Sequence, residues 1–248
     1  MPKSKIHRGS AGVLSDDKIG PEPKRVKKTV IERFQKLDDL SSTVSDILDD
    51  MGIIGCIGTS TLRPTIPSAR IVGTAITVRN VPQRKDVHVV ATSKRNFMAE
   101  IEGIHQADPG DVLVIEGLRH ISNMGGVMAT TANRQQLAGA VVDGGVRDVG
   151  RSRSLNFPIW SRDISPITGK WRVVTEEINC KVTIHGISVY PGDLVIADET
   201  GVCFVPGNLI EDVLERCEAI HNKEGGWVEN LDKGLTIPEL VRKIYSKK

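Results

Sequence analysis

Arg147 and Asp148 stand side by side just after an apolar run, Ala140 to Val142, that ends in Asp143, Gly144 and Gly145. Arginine offers a planar, two-pronged contact to a carboxylate, and a lone aspartate suits a hard cation such as Mg²⁺ that keeps most of its waters. A fixed cation beside a fixed anion therefore suits a small acidic ligand taken up together with a metal. The glycines are expected to form a tight turn that tolerates positive φ and lets a ligand approach the backbone. The same residues also fit a hairpin carrying a surface ion pair. Upstream, Gly125 and Gly126 precede a small-residue helix, whose first N–H groups would be free donors to a carboxylate or phosphate. With Arg147 and Asp148, such a helix start could hold a 2-oxo acid by its carboxylate and carbonyl oxygen.

Other chemistry is excluded by its absence from the chain. There is no G-x-x-x-x-G-K-[ST], no H-E-x-x-H, no G-x-S-x-G and no G-x-G-x-x-G after a strand. The six histidines fall at no metal spacing, and only His120 stays a candidate, because it lies just before the glycine pair. The four cysteines, Cys56, Cys180, Cys203 and Cys217, make no C-x-x-C pair, which indicates neither a zinc site nor a disulfide framework. They are expected to be buried thiols.

Positioning these residues requires a mixed α/β scaffold. Val30, Phe34 and Leu37 share a helical face, and Ser41 to Thr43 offer N-caps for a second helix over Val44 to Met51. Ile53 to Arg63, with Gly55 and Gly58, reads as loop. Ala69 to Arg79 is the first strand, with a bulge or bend expected at Gly73. Val87 to Arg95 suits a helix start, and a helix through Ile104 gives way to a turn at Asp108 to Asp111 and a buried strand over Val112 to Ile115. After the Arg147/Asp148 strand come short strands around Pro158 to Trp160, Glu177 to Val182, Ile187 to Val189, Leu194 to Ile196 and Val202 to Val205. A long amphipathic helix follows from Leu209, and a shorter one begins near Pro238.

With 248 residues and 39% apolar content, the chain can bury a core as one compact domain, residues 29–248. Residues 1–28 carry eight Lys/Arg against three acids, a net of +5, and few large apolar residues. They are expected to be a disordered or arm-like basic tail, laid on a neighbouring subunit if ordered. The total net charge of +2 argues against a dedicated nucleic-acid binder. No apolar run is long enough to span a bilayer and no signal core is present, so a cytoplasmic location without membrane contact is expected.

The stretch Leu137 to Val149, with Gly125 to Ala129 upstream and Pro191 to Pro206 downstream, resembles the RraA-like family, which includes 4-hydroxy-4-methyl-2-oxoglutarate aldolases and regulators of RNase E activity. The similarity runs from about Leu40 to Gly234. The resemblance implies a swivelling β/β/α domain assembled as trimers or hexamers, with the active site between subunits. It also implies that Arg147 binds the pyruvyl group and that Asp148 holds Mg²⁺, Mn²⁺ or another divalent cation. The loop amides of Gly126, Val127 and Met128 would hold substrate, and a carboxylate from a neighbouring C-terminal helix, Glu224 or otherwise Glu218, would approach the metal through water. The aldolases carry an acid where this chain has Gly126, and often another where it has Arg151. Those replacements remove a proton-handling group and, with Arg153, add positive charge that favours a more anionic or differently shaped substrate.

The function this implies is a class II oxo-acid lyase, cleaving an aldol to pyruvate or decarboxylating an oxaloacetate-like acid. A metal at Asp148 would stabilise the enolate common to both reactions. The alternatives are a lyase or hydrolase acting on a different small acid, and a non-catalytic regulator that binds an RNA-processing enzyme. Retention of both Arg147 and Asp148 counts against the regulator.

Overall fold

Val112 to Ile115 and Ala140 to Val142 are buried on both faces, as central strands of a sheet covered on each side must be. In the computed structural model, which describes residues 8–245, these runs become two of twelve strands. The side chains of Glu224, Trp227, Glu229, Asn230, Ile244 and Tyr245 lie outside the description.

After an arm with one short 3-10 turn (Asp16–Lys18), the chain forms α1 (Lys28–Gln35) and α2 (Leu40–Asp50), then β1 (Cys56–Gly58), β2 (Arg63–Pro64) and β3 (Ile71–Pro82). Next come α3 (Val87–Thr92), α4 (Glu100–Gln106), β4 (Val112–Glu116), β5 (Ser122–Met124), α5 (Gly126–Arg134), β6 (Gly139–Val146) and α6 (Val149–Ser154). The strand-dense part holds β7 (Ile159–Ile164), β8 (Val173–Ile178), β9 (Val182–Ile184), β10 (Ile187–Val189), β11 (Leu194–Ala197) and β12 (Gly201–Val205). Helices α7 (Ile210–Asp232) and α8 (Ile237–Tyr245) close the described chain. No helix among the described residues is long and apolar enough to cross a membrane.

The large sheet runs β1-β12-β11-β3-β4-β6-β7-β2, with β5 added to β6 and β8 to β3, and β9 and β10 form a separate hairpin. β3 joins the parallel and antiparallel parts: its first four residues pair with β11, its middle runs parallel to β4, and its end pairs with β8. The sheet curls into a half-barrel, and the architecture is a single mixed α/β domain.

The two-residue period of the strands sorts the core. Leu113, Ile115, Ala140 and Val142 pack with Ile104, Ala129 and Ala132 under α4 and α5, while Val112, Val114, Val141 and Trp160 face the β9–β10 side. A third apolar group joins α1, α2 and α7 over β11 and β12.

Three local expectations are corrected. Gly144 and Gly145 lie inside β6 rather than in a turn, and neither has positive φ. They are glycines because a Cβ on Gly144 would lie 2.5 Å from Asn123 Nδ2, and one on Gly145 2.6 Å from the Ile121 carbonyl oxygen. Gly73 likewise makes no bulge: its Cβ would meet the Gly110 carbonyl at 2.2 Å, and the register break in β3 falls at Arg79/Asn80. The stretch expected to be loop contains β1, a three-residue edge strand whose order comes from its pairing with β12.

Residues 8–27 lie on their own chain. The buried Glu102 carboxylate accepts N–H bonds from Ala11 (2.7 Å), Val13 (2.7 Å) and Leu14 (3.1 Å) and the Ser10 hydroxyl (3.0 Å). Ile19 forms a bridge with Ile178.

Candidate functional site

β5 and β6 run parallel, and both end at the start of a helix: Met124 leads through Gly125 into α5, and Val146 leads through Arg147 and Asp148 into α6. Ligand sites in such sheets lie beyond the carboxyl ends of the strands, where connections diverge. The Arg147 N–H donates to the Met124 carbonyl at 3.1 Å, tying the two strand ends together. The left-handed turn expected at the glycines occurs at Asp148 itself (φ 57°), a conformation that aspartate tolerates better than most residues.

The result is a cavity of about 220 Å³ lined by Gly125, Gly126, Val127, Met128, Arg147 and Asp148, together with Asn96, Met98, Glu100, Ser122, Met124, Thr168, Gly169 and Lys170. Asp148 Oδ2 accepts the Gly126 N–H at 2.9 Å and lies 3.6 Å from Arg147 Nε. Both contacts fall on Oδ2, and the carboxylate is half exposed. The Gly126 amide is thereby occupied, so the first-turn donors left for a ligand are those of Val127 and Met128.

Glu100, which sequence reasoning missed, lines the same cavity while being only 7% exposed. Burial pushes its carboxyl up to about 7, against the opposing pull of its own backbone N–H and the positive charge of Arg147. The signal was an acid opening a helix, which by itself reads as complementing the helix dipole. Lys170, also missed, sits in a polar loop after β7 with no motif around it.

The remaining sequence candidates lie elsewhere. His120 is 73% exposed, with Nδ1 3.6 Å from Asp163, and does not line the cavity. Arg151 reaches Thr130 Oγ1 through Nε at 3.1 Å, while its Cβ stands 3.3 Å from where a Cβ on Gly126 would be. Glu218 is gripped by Arg33 at 2.6 and 2.8 Å, and that pairing holds its carboxyl below the usual range. The Glu224 side chain lies outside the described residues.

No group of three or more His, Cys, Asp or Glu side chains able to hold a metal occurs among the described residues. Among the groups lining the cavity, the half-exposed Asp148 carboxylate fits a hard divalent cation that completes its shell with water and substrate oxygens, as Mg²⁺ does.

A family model described as RraA-like, Aldolase/RraA, matches residues 41–204. Protein DlpA of Legionella pneumophila is 31% identical over 96% of this chain, which spans 38% of the length of that protein. A Halalkalibacterium halodurans protein named "Putative 4-hydroxy-4-methyl-2-oxoglutarate aldolase" is 31% identical over 72% of this chain and 78% of its own. The solved structure of an uncharacterized Pseudomonas syringae protein superposes with a TM-score of 0.73 at 27% identity, covering 88% of this chain and 98% of that one.

Proposed function

The chain belongs to the RraA-like family, and from that premise we propose that it is a divalent-metal-dependent lyase acting on a small 2-oxo acid. The observation that carries the proposal is the convergence of Arg147, Asp148 and the start of α5 on one cavity.

Arg147 takes the substrate carboxylate by a two-pronged contact, supported by the amides of Val127 and Met128. Asp148 would hold the cation, which when bound draws developing negative charge onto the C2 oxygen. Breaking the C3–C4 bond, whether with loss of an aldehyde or ketone or with loss of carbon dioxide, leaves an electron pair at C3 that must end as a C–H bond of pyruvate. Glu100, titrating near neutrality in the same cavity, is placed to hold or pass that proton, the task performed in the aldolases by an acid at the position of Gly126.

Exposed apolar side chains border the site: Val127 is 74% exposed and Ile167, next to the lining residue Thr168, is 44% exposed. They support assembly with further copies of the chain across the cavity mouth. Two cations, Arg147 and Lys170, face a cavity that lacks an acid at Gly126, which favours a substrate with a second anionic group over pyruvyl compounds with neutral tails.

The test is pyruvate release from oxaloacetate and from 4-hydroxy-4-methyl-2-oxoglutarate, with Mg²⁺ or Mn²⁺ and again with EDTA. Turnover with metal and none with EDTA is expected, and no turnover of either acid with any metal overturns the proposal. Asp148→Asn keeps the left-handed turn and an acceptor for the Gly126 N–H while losing the charge. It should lose metal-dependent turnover at least 100-fold while retaining its melting temperature, a drop on the order expected for metal-assisted charge stabilisation.

A further inference from the structure

Cys56 on β1 and Cys203 on β12 are direct partners in the antiparallel register, with Sγ atoms 3.0 Å apart. Three strands, β11, β3 and β4, separate β12 from β6, so the pair is no part of the cavity at Arg147. The Phe204 N–H donates to the Gly55 carbonyl at 2.8 Å and the Thr59 N–H to the Thr200 carbonyl at 3.0 Å. Bonded and non-bonded pairs alternate along an antiparallel ladder. The cysteines therefore occupy a non-bonded position, where opposed Cα atoms stand about 4.5 Å apart and side chains on one face meet. That spacing lies inside the range a disulfide spans.

Cys56 is also reachable, with the buried Cys203 behind it. Both line a cavity of about 400 Å³ with Ser41, Ser42, Ser45 and Asp46, and Cys56 is only half-buried. Their protons are unequally held: the hydrogen bond between the two thiols, helped by the Ser45 hydroxyl, lowers the Cys56 thiol despite burial, whereas that same bond and burial raise Cys203. Cys56 is thus the attacking sulfur and Cys203 the one that resolves. Among the described residues no histidine, carboxylate or third thiol completes a metal cluster with them, which turns the pair toward sulfur chemistry.

We propose that Cys56 and Cys203 form a redox dithiol that closes reversibly to a cross-strand disulfide by exchange with a small-molecule disulfide. The Cys56 thiolate attacks one sulfur of the reagent RSSR, forming a mixed disulfide and expelling RS⁻, which takes the proton given up by Cys56. Cys203 then loses its proton and attacks Cys56 Sγ, closing the protein disulfide and releasing a second RSH. The protein loses two electrons and two protons, and RSSR is reduced to two thiols. Closure clamps the edge strand β1 onto β12.

Equilibrating the full chain with glutathione and glutathione disulfide in varied ratios, followed by thiol counting and peptide mapping, tests this. The expected result is loss of two of the four thiols, a mass lower by two hydrogens, a Cys56–Cys203 linked peptide, and recovery with dithiothreitol. The oxidised chain should also melt several degrees higher than the reduced one. Cys203→Ser should stop at the mixed disulfide on Cys56, and Cys180→Ser, which removes a thiol that burial pushes up to about 12, should close as the parent does. Four thiols persisting in the parent chain under fully oxidising conditions overturn the proposal, as does a stable glutathione adduct without closure or a linkage through Cys180 or Cys217. Because the mapping is made on the unaltered chain, it stands whether or not a variant folds.

Discussion

Glu100 is a buried carboxyl lining the candidate site, and its burial ties stability to pH. Its folded pKa of about 7 lies above the ordinary glutamate value of 4.5, so the folded state binds more protons between those limits. Stability therefore falls as pH rises from about 4.5 to about 7 and stays at the lower level above that. Glu100→Gln keeps a neutral, hydrogen-bonding side chain. It should flatten this dependence and leave the protein more stable than the parent at pH 8 by up to about 3 kcal/mol, read from urea midpoints at pH 5 and pH 8. If the variant is more stable but turns over pyruvyl substrates slowly, the carboxyl is retained for proton transfer at the expense of the fold.

At the scale of elements, the site depends on how closely β6 approaches the loop that crosses it. Asn123, fully buried, donates to the carbonyls of Leu118 (2.9 Å) and Ile121 (2.9 Å) and accepts the Leu118 N–H at 2.9 Å, holding residues 118–123 against the strand. Gly144 leaves room for that loop. In Gly144→Ala the new Cβ would stand 2.7 Å from the Leu118 carbonyl oxygen and 2.9 Å from its nitrogen, backbone atoms that cannot rotate aside. The substitution should cost about 3 kcal/mol and lower the melting temperature by several degrees. Gly150→Ala, in α6 with nothing within 4 Å of its Cβ, should instead stabilise by roughly 0.5–1 kcal/mol. A thermal melt of both variants separates close approach from a general intolerance of larger residues.

Across the whole molecule, residues 10–14 of the N-terminal arm gather on one anion. Burial pushes the Glu102 carboxyl up, but the N–H groups of Ala11, Val13 and Leu14 and the Ser10 hydroxyl outweigh it and hold the carboxyl below its usual range. A depressed folded pKa gives stability that is present above the unfolded value and lost as pH falls through the folded one. Acidification through that depressed pKa should therefore loosen residues 10–14 of the arm. Limited proteolysis should then cut within residues 8–20 faster at low pH than at pH 7, and Glu102→Ala should show fast cutting at both. Slow, pH-independent cutting in that variant would show that Arg8 and Arg25, which pair with Asp108, hold the arm without Glu102.

The sequence by itself determined the parts of this protein that depend on local pattern: the α/β class, the helix start at the Gly125–Gly126 pair, the apolar strand leading to Arg147 and Asp148, and through them the RraA-like family. These were legible because apolar periodicity and glycine placement act over a few residues. The tertiary structure alone decided what depends on residues far apart in the chain. Gly144 and Gly145 proved to be packing glycines because their neighbours, Leu118 to Asn123, come from another segment. Glu100 joined the cavity because α4 packs against β3, β8 and α5, a placement that no run of its own neighbours encodes. Cys56 and Cys203, 147 positions apart, read as unrelated thiols until the register of β1 on β12 set them face to face. Strand register and burial are settled by the free energy of the whole core, which is why they are not written in any one stretch of the chain.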